Sequence, residues 1–412
     1  MEENLRYAVG IDVGTENVRA VVGSINRDGR LSVVGYNEAK NSGMRKGVPV
    51  NLAGPADAID KMLGEVERMS GYEIHSAFVS VNGGQILTTR VEGMIAVGTL
   101  EHEINEDDLA RVEEVAVTGR VPANREILGV IPVDYAIDGQ EGIRDPIGMT
   151  GARLEMKANV ISAMSPNCMN LRRTTEGAKV IAESLVPCAV AAGRAVLDER
   201  QIENGVAIID LGATTTSVGV YEEGELQYVG VVPAGSNNIT NDLAIMLAID
   251  MEVAEEIKRR YVTGSFSGEK DIVMKVNREE LTFEREKVDE VVRARLEEIF
   301  EKVKKELKKA GYEKRLPEGA VLVGGGAKMR DIEVFAKEVL EMAVKIGAPK
   351  GLGGVAASIE KPEYATATGL MLLASENSGK NSGKTKRAKN KKGSGKKGEG
   401  GFLAGLLAKF KI

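Results

Sequence analysis

The sequence is poor in the residues that build most metal and redox centres. It has two histidines, His75 and His102, among 412 residues. A histidine-rich metal site is therefore excluded, and no motif supports a catalytic triad around either one. Two cysteines, Cys168 and Cys188, make no disulfide framework in a chain this long and read as buried, reduced thiols. No apolar run reaches the roughly 20 residues needed to span a bilayer. The opening MEENLRY has neither a basic segment nor an apolar core, so no secretory signal is expected there. Aromatics are scarce at 4%, but apolar residues reach 43%, enough for a real core. The length implies two to three domains, or one large body with subdivisions.

Charge is unevenly spread. The formal net charge is −6. Residues 375–412 hold eleven Lys and Arg against two Glu, a net of +9. Residues 1–374 hold 44 basic and 59 acidic groups, a net of −15. An acidic body thus carries a basic tail, a pattern that points the tail at an anionic surface.

An internal repeat organises the body. Residues 7–36 (YAVGIDVGTENVRAVVGSINRDGRLSVVGY) and 206–232 (VAIIDLGATTTSVGVYEEGELQYVGVV) align Asp12 with Asp210 and Gly14 with Gly212. Each copy predicts an apolar strand ending in Asp-x-Gly, a tight turn, a second strand, a charged Gly turn and a third strand. Two such α/β halves would face their Asp-x-Gly turns across a cleft. Glycine allows close approach of backbone N–H groups to phosphate, and a carboxylate at each strand end can hold Mg²⁺ through its waters. A third element is the apolar run Ala320–Val323, which leads into Gly324, Gly325 and Gly326 and then a helical pattern from about Met329. Strand, triple glycine and helix make room for a base or ribose.

GIDVGT, IIDLGATTTS and VLVGGGAKM resemble the two phosphate motifs and the adenosine motif of the actin-like ATPase superfamily. Within it, REILGVIPVDYAIDGQEGIRDPIGMTGARLE, from Arg125 to Glu155, resembles a hallmark block of the bacterial cell-division family FtsA. GSNNITNDLAI (235–245), the helical stretch from Glu286 to Lys309 followed by GYEKRLPEG, and YATATGLMLL (364–373) are similar to the same family. The resemblance runs from about residue 6 to 374.

It implies an α/β, actin-like fold with two ribonuclease-H-like halves around a nucleotide cleft. The first half would span 6–84, 166–203 and 355–374. An FtsA-type subdomain would be inserted at 85–165. The second half would span 204–233 and 317–354, with a small subdomain at 234–316. The implied cofactors are ATP and Mg²⁺. The first phosphate loop would be Asp12, Gly14, Thr15, Glu16 and Asn17, and the second Asp210, Gly212, Ala213, Thr214 and Thr215. Gly235 and Asn237 would flank the nucleotide, and Gly324, Gly325 and Gly326 would wall the adenosine. Glu255 and Lys258, three apart on a predicted helix, can share one face towards ribose or base. Asp12 and Asp210 would hold Mg²⁺ through water.

Family resemblance also implies the partners. They are the C-terminal peptide of the tubulin-like protein FtsZ, further copies in an actin-like filament, anionic lipid and other division proteins. The place would be the cytoplasmic side of the membrane at the division site. Two departures bear on nucleotide use. The first loop usually reads D-x-G-T-S-K, but Glu16 and Asn17 follow Thr15 here, so a phosphate-neutralising lysine is missing. The second usually reads D-x-G-G-G-T-x-D, but Ala213 and Thr214 carry Cβ atoms and Ser217 replaces the last carboxylate. Hydrolysis is therefore expected to be weak or absent, and no spacing identifies a general base. Two alternatives share the superfamily. One is a PilM-like pilus assembly protein, whose second loop tolerates Ala-x-Thr-Ser. The other is a sugar kinase, suggested by Asp12–Thr15 with Val18–Ala20.

Residues 375–400 are low-complexity and read as a disordered basic linker, about 28 Å in mean span for a flexible chain. They lack interleaved aromatics, which argues against nucleic-acid binding. The end, 401–412, reads as an amphipathic helix. At 100° per residue Phe402, Leu403, Leu406, Leu407 and Phe410 share one face, flanked by Lys409 and Lys411. At about 18 Å it would lie in a membrane interface rather than cross it.

Overall fold

The computed structural model describes residues 6–266, 270–276, 279–312 and 315–388, with side chains to 377 in the last helix. The apolar run at the start folds as the repeat predicts. Strands Arg6–Val13, Asn17–Ile25 and Leu31–Lys40 form an antiparallel meander. Strands Ser76–Val81 and Ile181–Pro187 extend it in parallel on one side, and the short Gly353–Gly354 closes the other. In the second copy, Val206–Leu211, Thr216–Glu222 and Glu225–Val232 repeat the meander, and Ala320–Val323 and Val344–Ile346 add in parallel. The Glu223–Gly224 turn has φ of 56° and 81°, so glycine relieves one of two left-handed positions.

Side-chain alternation explains why VAIIDL and AVLV are apolar throughout. Ile208, Val321 and Val323 join the core of the first half, whereas Ala207, Ile209, Leu211, Ala320 and Leu322 join that of the second. The second sheet is therefore buried on both faces, and a continuous apolar run is what such strands require. Its outer face is covered by Arg285–Lys309, whose Val288, Val292, Leu296, Ile299, Phe300, Val303 and Leu307 are buried at helical spacing.

A third sheet, Leu87–Ala96, Arg153–Met164, Arg125–Ile137 and Gln140–Ile143 in spatial order, packs on helix Glu106–Val117 around its own core. Arg125 locks this insert at its root. Its guanidinium donates to the Gln85 carbonyl at 2.5 Å and to Ser162 Oγ at 2.9 Å, where the chain enters and leaves. The insert also covers the edge strand of the second half. Thr88 Oγ1 donates to the Val229 carbonyl (2.8 Å) and accepts from the Val229 N–H (2.9 Å).

The helix Ala365–Ala388 continues beyond Ala374, where the sequence reading places the end of the folded body. Its buried first turns supply the costly nucleus, after which each added residue is cheap to propagate. Glu376, paired with Arg194 at 2.6 Å, secures the next turn. The expected linker beyond 388 and the expected terminal helix with Phe402, Leu403, Leu406, Leu407, Lys409, Phe410 and Lys411 lie outside the described residues. Among the described residues no helix is long and apolar enough to cross a membrane.

The same helix crosses its neighbours at glycine. A Cβ at Gly369 would stand 1.6 Å from the Ala191 carbonyl oxygen, and one at Gly10 would stand 2.2 Å from that of Ala367. Gly369→Ala should therefore cost about 3 kcal/mol, the upper range for overpacking, read from urea unfolding. Gly64→Ala, in an exposed helical position with nothing within 4 Å, should instead gain about 0.5–1 kcal/mol. Equal effects at both sites would show that the crossing is not close-packed.

Candidate functional site

The two strand ends of the repeat open on one cleft of about 450 Å³. Asp12 lies at the end of Arg6–Val13 and Asp210 at the end of Val206–Leu211. Both carboxylates are partly buried at the bottom of the cleft, and burial pushes both up. Asp12 is steadied by Arg19, its cross-strand partner, and by Ser80, whose Oγ donates at 2.8 Å. Asp210 is pushed up to about 6 by burial and by the charge of Asp12. Thr366 Oγ1 donates to it at 3.0 Å and Arg19 adds a favourable charge.

Each strand end turns tightly into the next strand. A Cβ on Gly14 would lie 2.7 Å from the Asn17 carbonyl oxygen, and one on Gly212 2.9 Å from that of Thr215. Asn41 props the first turn: its side chain donates to the Gly14 carbonyl (2.6 Å) and its N–H to that of Glu16 (2.9 Å). The second turn is held from behind by helix Ser236–Leu247, whose Ser236 and Asn237 N–H groups donate to the Gly212 and Ala213 carbonyls. The turns meet across the cleft, with Thr15 Oγ1 and Thr214 Oγ1 2.9 Å apart.

The missing lysine of the first loop has a substitute from another strand. Lys40 is one step from Glu16 in the hairpin register, which pairs Asn17 with Lys40. Its Nζ donates to Glu16 Oε1 at 2.6 Å, and Asn237 Nδ2 donates to Glu16 Oε2 at 3.1 Å. Lys40, and after it Asn237, hold the Glu16 carboxyl below its ordinary range against the opposing pull of burial. Glu255 and Lys258 share a face of helix Met251–Tyr261, 2.5 Å apart, and both contact Thr240. Burial lowers Lys258, and Glu255 counters that shift.

The triple glycine forms the remaining wall. Gly324 has φ of 87°, and a Cβ there would strike Asp210 Oδ1 at 2.2 Å. A Cβ on Gly326 would strike Leu211, whereas one on Gly325 meets nothing within 4 Å and would project into open space. A short 3₁₀ turn, Gly325–Lys328, follows, and the helix starts at Ile332, slightly later than expected.

Asp12, Gly14, Thr15, Glu16, Asn17, Asp210, Gly212, Ala213, Thr215, Asn237, Glu255, Lys258 and Gly324–Gly326 all line the cleft. Thr214 and Gly235 do not. Thr214 spends its hydroxyl on Thr15. Gly235 sits behind the second turn, where a Cβ would meet the Gly212 carbonyl oxygen at 2.6 Å. Sequence reasoning missed Lys40, Arg19, Asn82, Thr366 and the Lys328–Glu363 pair. Asn82 contacts both Thr215 Oγ1 (3.1 Å) and Ser217 Oγ (3.0 Å). The hairpin register could have revealed Lys40 and Arg19. Asn82 and Thr366 come from distant segments and leave no local signal.

Comparison with known proteins fits this geometry. The family model "Cell division protein FtsA" matches residues 207–369, and "SHS2 domain inserted in FTSA" matches 83–162. The cell division protein FtsA of Pseudomonas aeruginosa is 34% identical over 372 residues, 89% of either chain. This chain belongs to the FtsA family of cell division proteins. The Bacillus subtilis FtsA is 33% identical over 382 residues, covering 92% of this chain and 85% of that one. Among solved structures, a chain of the PilM–PilN type IV pilus biogenesis complex superposes with a TM-score of 0.65 at 16% identity. It spans 89% of this chain and 98% of its own. MreB5 of Spiroplasma citri bound to ADP gives 0.54 at 13%, spanning 92% and 98%. These likenesses show the actin-like fold, which the sequence predicts, and both are of fold alone.

The raised Asp210 has a measurable consequence without divalent metal. Between about pH 4 and pH 6 the folded chain keeps a proton that the unfolded chain has released, so stability falls as pH rises through that window. The full penalty, about 3 kcal/mol, applies above it. Asp210→Asn should raise the melting temperature in chelator at pH 7.5 and lose that advantage at pH 4. No gain at pH 7.5 would show that Asp210 is not electrostatically burdened.

Proposed function

We infer that the protein is a membrane-associated, filament-forming division protein. It binds ATP with Mg²⁺ in the interdomain cleft, hydrolyses it weakly or not at all, and tethers FtsZ filaments at the division site. The observation that carries the nucleotide reading is the pairing of two buried carboxylates with an open glycine wall. Asp12 and Asp210 would hold a hydrated Mg²⁺, whose charge relieves their mutual repulsion. The backbone at Gly14–Asn17 and Gly212–Thr215 would clamp phosphate, and Gly325 leaves space for adenosine. Related solved structures support this, since MreB5 of Spiroplasma citri is described with ADP and with AMPPNP. Weak hydrolysis follows from the side chains at hand. Glu16, Glu255 and Glu363 are each engaged by a lysine, so among the described cleft residues the only other carboxylates are Asp12 and Asp210, which the metal would occupy.

Family membership supports the FtsZ peptide and further copies of this chain as partners. The charge pattern of 375–412 supports anionic lipid.

Calorimetry of purified protein with Mg-ATP tests the cleft. Heat of binding is expected for the wild type. Gly325→Leu should abolish it while leaving the melting temperature within a few degrees, because a Cβ there meets no protein atom within 4 Å and the side chain starts out into the open cleft. No heat at millimolar nucleotide rejects the reading. For the tail, a fluorescent fusion lacking 402–412 should move from membrane to cytosol, and persistence at the membrane would reject tail anchoring. A binding assay with the FtsZ C-terminal peptide tests the tether directly.

A further inference from the structure

The mouth of the cleft holds a contact that the usual D-x-G-T-S-K loop could not make. Glu16 belongs to the first half, yet one of its carboxylate oxygens accepts from Asn237 of the second half at 3.1 Å. The other accepts from Lys40 at 2.6 Å. Lys258 adds a third favourable interaction from the opposite wall. Lysine ammonium groups and a side-chain amide are what a cleft offers to a phosphate. Here they already face an anion supplied by the chain. The backbone N–H groups of Ser236 and Asn237 are spent on the second turn, so they offer no replacement donors. Beside this contact, the Thr15–Thr214 hydrogen bond joins the two phosphate turns directly.

We propose that Glu16 competes internally for the seat of the terminal phosphate and thereby sets the preference between nucleoside di- and triphosphates. The proposal rests on the cleft's being a nucleotide site. A triphosphate must take Lys40 and Asn237 from Glu16, and it brings the larger negative charge towards that carboxylate. A diphosphate extends less far and meets less repulsion. Displacement is sterically open, since the side chains of Glu16 and Lys40 are 45% and 77% exposed and can swing to solvent. Lys40 would then change partner from carboxylate to phosphate, which makes it a positioning residue for triphosphate.

Calorimetry with Mg-ATP and Mg-ADP on wild type, Glu16→Gln and Lys40→Ala tests this, with thermal unfolding to confirm that each variant is folded. Glu16→Gln keeps the shape and removes the charge. It should tighten Mg-ATP about tenfold and Mg-ADP by clearly less. Glu16→Ala should act in the same direction, and Lys40→Ala should weaken Mg-ATP. If the wild type binds and Glu16→Gln binds Mg-ATP no more tightly, or gains equally for both nucleotides, the competition is overturned and the site reading stands. If no form binds either nucleotide, the site reading itself fails and takes the competition with it.

Discussion

Two carboxylates are buried where two equivalent strands end, and much of the molecule is arranged around the cost of keeping them there. Burial raises both Asp12 and Asp210, and the charge of Asp12 raises Asp210 further. Much of the compensation comes from far along the chain. Ser80 arrives on a parallel strand, Arg19 across the first hairpin and Thr366 on the long helix near the end. Each acid takes a hydroxyl donor from outside its own meander. Asp210 of the second half takes its hydroxyl donor from a helix packed on the first.

That dependence ties the halves together at the floor of the cleft. Gly324 N–H donates to the Pro362 carbonyl at 2.9 Å, and Lys328 pairs with Glu363 at 2.7 Å, beside the Thr366–Asp210 contact. At the mouth the halves meet through the Thr15–Thr214, Glu16–Asn237 and Asn82–Thr215 contacts. The floor combines a backbone bond with mostly buried side chains, the half-exposed Lys328 excepted, whereas the mouth uses polar side chains near solvent. The two sets of contacts thus tie the halves at different depths of the same cleft.

The fold was legible because its strongest constraints are local. The duplicated Asp-x-Gly turns, the uninterrupted apolar strands of the second sheet and the glycine run each need their residue type for a reason visible in a short window. Gly324 shows this well, since its φ of 87° favours glycine whatever surrounds it. What could not be read were pairings set by tertiary approach. Asn82 and Thr366 are ordinary polar residues in sequence. Thr214 sits in a motif, and only the facing turn decides that its hydroxyl goes to Thr15. The helix through Ala388 was missed because composition describes a segment in isolation, while its helicity is inherited from a buried start.

The departures from the family's loops form a connected change in charge. The usual second loop places another acid where Ser217 stands, directly opposite Asp210 in the hairpin register. A carboxylate there would raise Asp210 further, in a floor already short of positive charge. Ser217 instead donates to Asn82, which also reaches Thr215, so the position serves packing and loop geometry at no electrostatic cost. At the other turn a lysine is gone and Glu16 has appeared, but Lys40 from the third strand brings a cation to the same place. Relative to the pattern, negative charge has moved from the floor, where it is costly and fixed, to the mouth, where it is paired and can move. A site altered in this way still presents a cation at its mouth, now paired with a carboxylate from the same chain.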